Sequence, residues 1–208
     1  RFTASLAGDL APLFLPEYAA FLGDRVALDL AGARWSSGRL VLDRLALSAR
    51  ALDLDGALTV AADGLPEAFS LAGTVASDDG QPVLLPLPGK GQTRVRRAEI
   101  DLRFDARKDN GWTGRASLIG LETETLRLGQ AQLRGSGRID RVASRNGVGA
   151  TLDFRAEGLA LHDAALQEAL GPALSGHAVL FWRKGEDALR LPPLSLTGEG
   201  FALSAGLP

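Results

Sequence analysis

"AEIDLRFDAR", Ala98–Arg107, decides the fold. Ile100, Leu102 and Phe104 alternate with Glu99, Asp101, Arg103 and Asp105. Successive side chains of an extended chain point to opposite faces, so a period of two describes a strand with one apolar and one wet face. A helix of this sequence would place charges in its own buried stripe. Upstream the same alternation runs through Val26, Leu28 and Leu30, then Leu40 and Leu42. It resumes at Leu45 and Leu47 after a one-residue slip at Asp43–Arg44, which predicts a bulge or turn. Leu52, Leu54, Leu58 and Val60 hold one phase, followed by Phe69, Leu71 and Val75. Downstream the pairs are Leu126 and Leu128, Leu152 and Phe154, Val179 and Phe181, and Leu189 and Leu191.

Turn signals punctuate these runs. Asp63-Gly64, Asp79-Gly80, Asn110-Gly111 and Asn146-Gly147 fall between runs and supply the positive φ of tight hairpins. Asp55-Gly56 falls inside a run and predicts a kink. The sheet is therefore expected to be mostly antiparallel, each strand beside its sequence neighbour. Two short helices are predicted. "PEYAAFLG" places Pro16 in the first helical turn and stops at Gly23. "DAALQEALGP" has Asp163 as N-cap and Gly171 as stop, with Pro172 beyond.

The helices also reveal an internal repeat. Aligning Gly23 with Gly171 brings Leu22 onto Leu170 and Tyr18 onto Leu166. The flanks match too, Phe2 with Leu152 and Gly8 with Gly158 upstream. Downstream, Leu45, Leu47, Leu52 and Leu54 fall on Leu194, Leu196, Phe201 and Leu203. The period is about 150 residues, longer than common solenoid repeats. Residues 1–9 read as the end of a preceding unit, 10–158 as one unit, and 159–208 as the start of the next, an internal fragment of a longer protein.

Composition narrows the function classes. The 23 basic residues are spread among 25 acidic ones, for a net charge of −2, so no basic field points to nucleic acid. There is no cysteine, which removes disulfides and thiolate chemistry, and no methionine. No apolar run approaches the roughly 20 residues of a membrane helix. His162 and His177 are the only histidines and lack further ligands at metal spacing. No G-x-S-x-G elbow is present. "PGKGQT" lacks the first glycine of a phosphate loop, "GSGRID" lacks the third of a dinucleotide fingerprint, and Asp78-Asp79 precedes a turn glycine. Neither catalysis nor a cofactor is expected.

An apolar sheet face must be buried by a second sheet, by closure into a barrel, or by curling into an open gutter. Leucine dominates this face, and the chain has only 8 Phe, 3 Trp and 1 Tyr. Sandwich cores favour β-branched and aromatic residues, which weighs against the sandwich, as does a repeat that continues past both ends; the barrel and the gutter stay open.

The short "LxLxxLxLxxGxLxL" strands, the helix "PEYAAFLG" entering a strand, and the stretch "GQPVLLPLPG…TRVRRAEIDLRFDARKDNGW" resemble the TamB family, within the AsmA-like group of repeating β-groove proteins. The resemblance implies a mainly β fold: a long antiparallel sheet curled into an open apolar groove, a β-taco, with short helices at repeat boundaries. It implies a periplasmic protein anchored to the inner membrane by a helix outside this fragment. It also implies an outer-membrane partner of the Omp85 type, TamA. Such grooves carry phospholipid between membranes and assist outer-membrane protein assembly. The alternating residues above would then line the groove against acyl chains. "QPVLLPLPGKG" (Gln81–Gly91), interrupted by Pro82, Pro86 and Pro88, would be a crossing loop unable to join regular structure through its middle. Its Val83, Leu84, Leu85 and Leu87 would follow the rim. Trp35, Trp112 and Trp182, in or beside strands, would pack or mark a lipid-headgroup boundary. The alternative is a structural spacer, or a chaperone-like scaffold that pairs nascent strands along its edges.

Overall fold

The computed structural model describes residues 1–9, 16–87, 91–108, 110–140, 147–183 and 193–206. Strand β1 (Phe2–Gly8) precedes a 3-10 turn (Pro16–Tyr18) and α1 (Ala19–Leu22). Then come β2 (Val26–Arg34), β3 (Leu40–Ala49), β4 (Leu52–Val60), β5 (Pro66–Ala76), β6 (Val83–Leu84) and β7 (Arg94–Asp105). Next are β8 (Gly111–Glu122), β9 (Leu126–Asp140), β10 (Gly147–Glu157), β11 (Ala160–Leu161) and α2 (Ala164–Leu170). The described chain ends with β12 (Ala173–Arg183), β13 (Pro193–Gly198) and β14 (Ala202–Gly206).

All of these strands form one antiparallel sheet of 14, in the order β1-β2-β3-β4-β5-β7-β8-β9-β10-β12-β13-β14, with β6 on β7 and β11 on β9. The sheet is open, its outermost strands being β1 and β14. The slip at Asp43–Arg44 is a bulge: the register shifts between Leu42 and Leu45, so all four leucines of β3 stay on one face. β4 runs through Gly56, which lies opposite the β3 bulge, and a Cβ there would meet the Ser70 carbonyl oxygen at 2.6 Å.

The turns behave as their chemistry requires. Gly64, Gly80 and Asn110 have positive φ, of 81°, 70° and 56°. Asn146 lies outside the described residues. The tight hairpins β2–β3, β4–β5 and β7–β8 all open on one rim of the sheet. The opposite rim carries α1, β6, β11 and α2.

On this helix rim the two helix stops share one geometry. Gly23 (φ 70°, ψ −168°) and Gly171 (φ 70°, ψ −174°) each donate to the carbonyl four residues back. A Cβ on Gly23 would meet Arg50 Cβ at 2.6 Å, and one on Gly171 would meet Glu199 Cβ at 3.2 Å. Leu28–Leu47–Leu54 and Gly176–Leu196–Leu203 are matching cross-strand rows. Upstream the register differs from the sequence alignment by two residues. Gly8 pairs Val26 as Ala156 pairs Leu174, so Gly8 corresponds to Ala156 rather than Gly158.

Candidate functional site

Register assigns each side chain to a face. At the level of Leu102 the row reads Leu71, Leu102, Gly114, Gly135, Leu152 and Ala178. One step along it reads Gly73, Ile100, Ala116, Leu133, Phe154 and Gly176. Val26, Leu28, Leu30, Leu40, Leu42, Leu45, Leu47, Leu52, Leu54, Leu58, Val60, Phe69 and Phe104 share this face through the same ladders. The opposite face carries Glu99, Asp101, Arg103, Arg115, Arg134 and Asp153.

Glycines on the apolar face decide its shape. Leu102 Cδ2 would lie 2.6 Å from a Cβ on Gly114, and Phe154 Cζ 2.5 Å from one on Gly176. Large side chains thus lie flat over their glycine neighbours and make a thin, smooth lining. A Cβ on Gly32, Gly56, Gly137 or Gly176 would also approach a carbonyl oxygen of the next strand closer than 3.0 Å. At these four points the neighbouring strand comes close on the apolar side, which is consistent with an open sheet curled toward that side. Trp112 lies across Gly135 and Gly137 and donates to the Gly149 carbonyl at 3.0 Å, so its one polar group is satisfied. Phe69 and Phe104 pack beside it with ring centroids 5.5 Å apart.

No second layer covers this face among the described residues. The chain exposes 13452 Å². A compact monomer of 21.8 kDa exposes about 9,300 Å². Phe2, Leu6, Ile100, Leu133, Trp182 and Leu203 are all more than a third exposed, and the register places all six on the apolar face. A contiguous exposed apolar surface of this kind marks an interaction site.

The two rims differ. On the helix rim Phe21, Ala51 and Val83 are buried together, with Leu22, Leu52, Val75 and Leu85 packed against them. The segment Val83–Leu85 does join regular structure. Val83 and Leu84 pair with Val95 and Arg94, and the Leu85 amide donates to the Thr93 carbonyl. Residues 83–85 keep their donors because the prolines flank them. Leu87, between two prolines, leaves the sheet and is 53% exposed. The tryptophans occupy the hairpin rim: Trp35 follows β2 beneath Arg39 at 5.4 Å, Trp112 opens β8, and Trp182 is near the end of β12.

Two expected lining positions lie elsewhere. Val179 and Phe181 pair with Thr151 and Gly149 on the outer face, while Ala178, Leu180 and Trp182 take the apolar side. Leu126 and Leu128 count out of phase with Leu133 along β9, but a break between them returns them to the apolar side, Leu128 in one row with Leu121, Val95 and Val83, which clusters with Leu52 and Val75. The alternation is interrupted at Gly120 (φ 64°), Gly129 and Gly158 (φ 69°), and beyond it Leu128 pairs Leu121, which pairs the fully buried Val95. Leu189 and Leu191 lie outside the described residues. The apolar face also holds residues not foreseen as lining: Phe2, Leu6, Trp112, Leu118, Leu133, Leu180, Leu194, Leu196 and Leu203. Their signal was present in β1, where Phe2, Ala4 and Leu6 alternate with Thr3 and Ser5. His177 lies on the outer face with Nδ1 2.7 Å from Asp153 Oδ1, and His162 precedes α2.

No family model, curated protein or solved structure matches this chain.

Proposed function

We propose that this chain is a segment of a TamB-like lipid conduit, whose curled apolar face holds phospholipid acyl chains while polar headgroups stay in water. The observation that carries the reading is the uncovered leucine-rich face, with glycines that flatten its lining. Each methylene moved from water onto such a face gains about 0.8 kcal/mol, so an acyl chain crosses an aqueous gap without full exposure. The lining acts by continuity and needs no reacting group. In this proposal the protein works in the periplasm of a Gram-negative cell, anchored to the inner membrane and delivering toward TamA, in support of outer-membrane protein assembly and secretion.

The experiment is lipid extraction from the purified chain, followed by mass spectrometry and by reloading of the delipidated protein with phospholipid. Diacyl phospholipid that leaves and returns supports the proposal. A lipid-free, monomeric, folded chain that takes up none overturns it. The alternative is a structural spacer or a scaffold that pairs nascent strands along its edges. A groove blocked by charge separates the two readings, because edge pairing uses backbone groups.

A further inference from the structure

On the outer face the register sets Arg115 of β8 directly opposite Arg134 of β9. Like charges in directly opposed positions destabilise an antiparallel pair. Their row continues to Asp101 on one side and to Asp153 and His177 on the other. Both carboxylates are already engaged. Arg103 donates to Asp101 at 3.0 and 3.1 Å, and Asp153 Oδ1 is 2.7 Å from His177 Nδ1. Among the described residues, neither Arg115 nor Arg134 makes an ion pair or a side-chain hydrogen bond. The adjacent row carries three hydroxyls in register, Thr113, Ser136 and Thr151. The two guanidinium groups and the three hydroxyls line one shallow depression of about 370 Å³, together with Asp101, Arg103 and Asp153.

We infer that Arg115 and Arg134, with this hydroxyl row, hold a phosphate-type dianion on the outer face of the sheet, apart from the apolar groove. Guanidinium forks match the oxygens of a phosphate, and hydroxyls rotate to donate to those that remain. A dianion between the arginines removes the repulsion that their register creates. The neighbouring carboxylates do not compete for the arginines, since each already has its own cation or imidazole. The inference stands whether or not the groove carries lipid.

The test is thermal unfolding of the full chain in inorganic phosphate against sodium chloride at equal ionic strength. With phosphate at ten times its dissociation constant, the midpoint rises by about 3–5 °C. R134Q and R115Q each lose that response, and each melts higher than the parent in chloride because one of two facing charges is gone. R127Q, which removes an exposed arginine elsewhere on β9, keeps the response. No rise in the parent, or an undiminished rise in R134Q and R115Q, overturns the inference. Flotation with phosphatidylcholine vesicles containing phosphatidate, lost in R134Q, assigns the anion to a lipid headgroup. A response to free phosphate without flotation assigns it to a soluble phosphate.

Discussion

Leu133 and Gln132 are neighbours on β9 that face opposite sides of the sheet. Leu133 looks into the groove and is 38% exposed, between Ala116 and Phe154. Gln132 is on the outer face, beside Ser117 and Arg155. A carboxylate at position 133 keeps its hydration shell and pushes acyl methylenes away. Loss of about four methylene contacts costs about 3 kcal/mol of lipid affinity, or roughly a hundredfold. The folding cost is smaller. Burying a whole leucine is worth about 1.5–3 kcal/mol, and this side chain is only partly covered, so Leu133→Asp is expected to lose about 1–2 kcal/mol of stability. Gln132→Asp leaves both quantities nearly unchanged. Titration of the delipidated chain with a fluorescent fatty acid reads affinity, and urea unfolding reads stability. Equal loss of affinity in the two variants would refute the assignment of faces. Full affinity in Leu133→Asp would refute the groove as the place where chains lie.

Three further outcomes are expected. Gly176→Val places a side chain against Phe154 Cζ, at 2.5 Å, and the Ser195 carbonyl, at 2.7 Å, and destabilises by about 1–3 kcal/mol in urea, whereas exposed Ser175→Val stays within about 0.5 kcal/mol. Asp163→Ala removes the carboxylate that accepts the Leu166 amide at 3.0 Å, costs about 1 kcal/mol, and speeds amide exchange in α2 while leaving β7 and β8 unchanged. The third concerns acid. The Ser77 hydroxyl holds Asp79 below its ordinary value of 3.8, Arg107 does the same for Asp105, and Gln130 with Arg155 holds Glu157 below 4.5. A carboxyl depressed in the folded chain is protonated first in the unfolded one. Its contribution is therefore complete above the unfolded value and disappears as pH falls through the folded value. Stability should decline below pH 4.5, and Asp105→Asn should make the decline shallower; an unchanged slope would count against the Arg107 contact.

How much of this was legible in the residues depended on local contrast. "AEIDLRFDAR" places apolar and charged residues in strict alternation, and its face is unambiguous. The bulge in β3 was legible because leucines change phase across Asp43–Arg44. Gly23 and Gly171 announced helix stops because little else reaches that backbone region. "HAVLFW" offered no contrast: Ala178, Leu180 and Trp182 are as apolar as Val179 and Phe181. Its phase is set by β10, where Phe154 needs the space over Gly176. Leu126 and Leu128 keep to the apolar side although they count out of phase with Leu133, because the alternation breaks between them, at Gly129 on their own strand and at Gly120 and Gly158 beside it. The curl was illegible for a related reason. It depends on which glycines fall opposite which carbonyls, and only the register decides that. The groove was legible as a face and not as an inventory. The outer arginine pair was invisible, since Arg115 and Arg134 become neighbours only through the β8–β9 pairing.

The central claim is that lipid, rather than protein, covers the apolar face. A photoreactive amino acid at Ile100, which is 37% exposed on that face, and separately at Asp101 on the other, tests it in living cells. The account predicts covalent phospholipid at position 100 and none at 101. Protein adducts without lipid at position 100, or equal lipid at both positions, would contradict it.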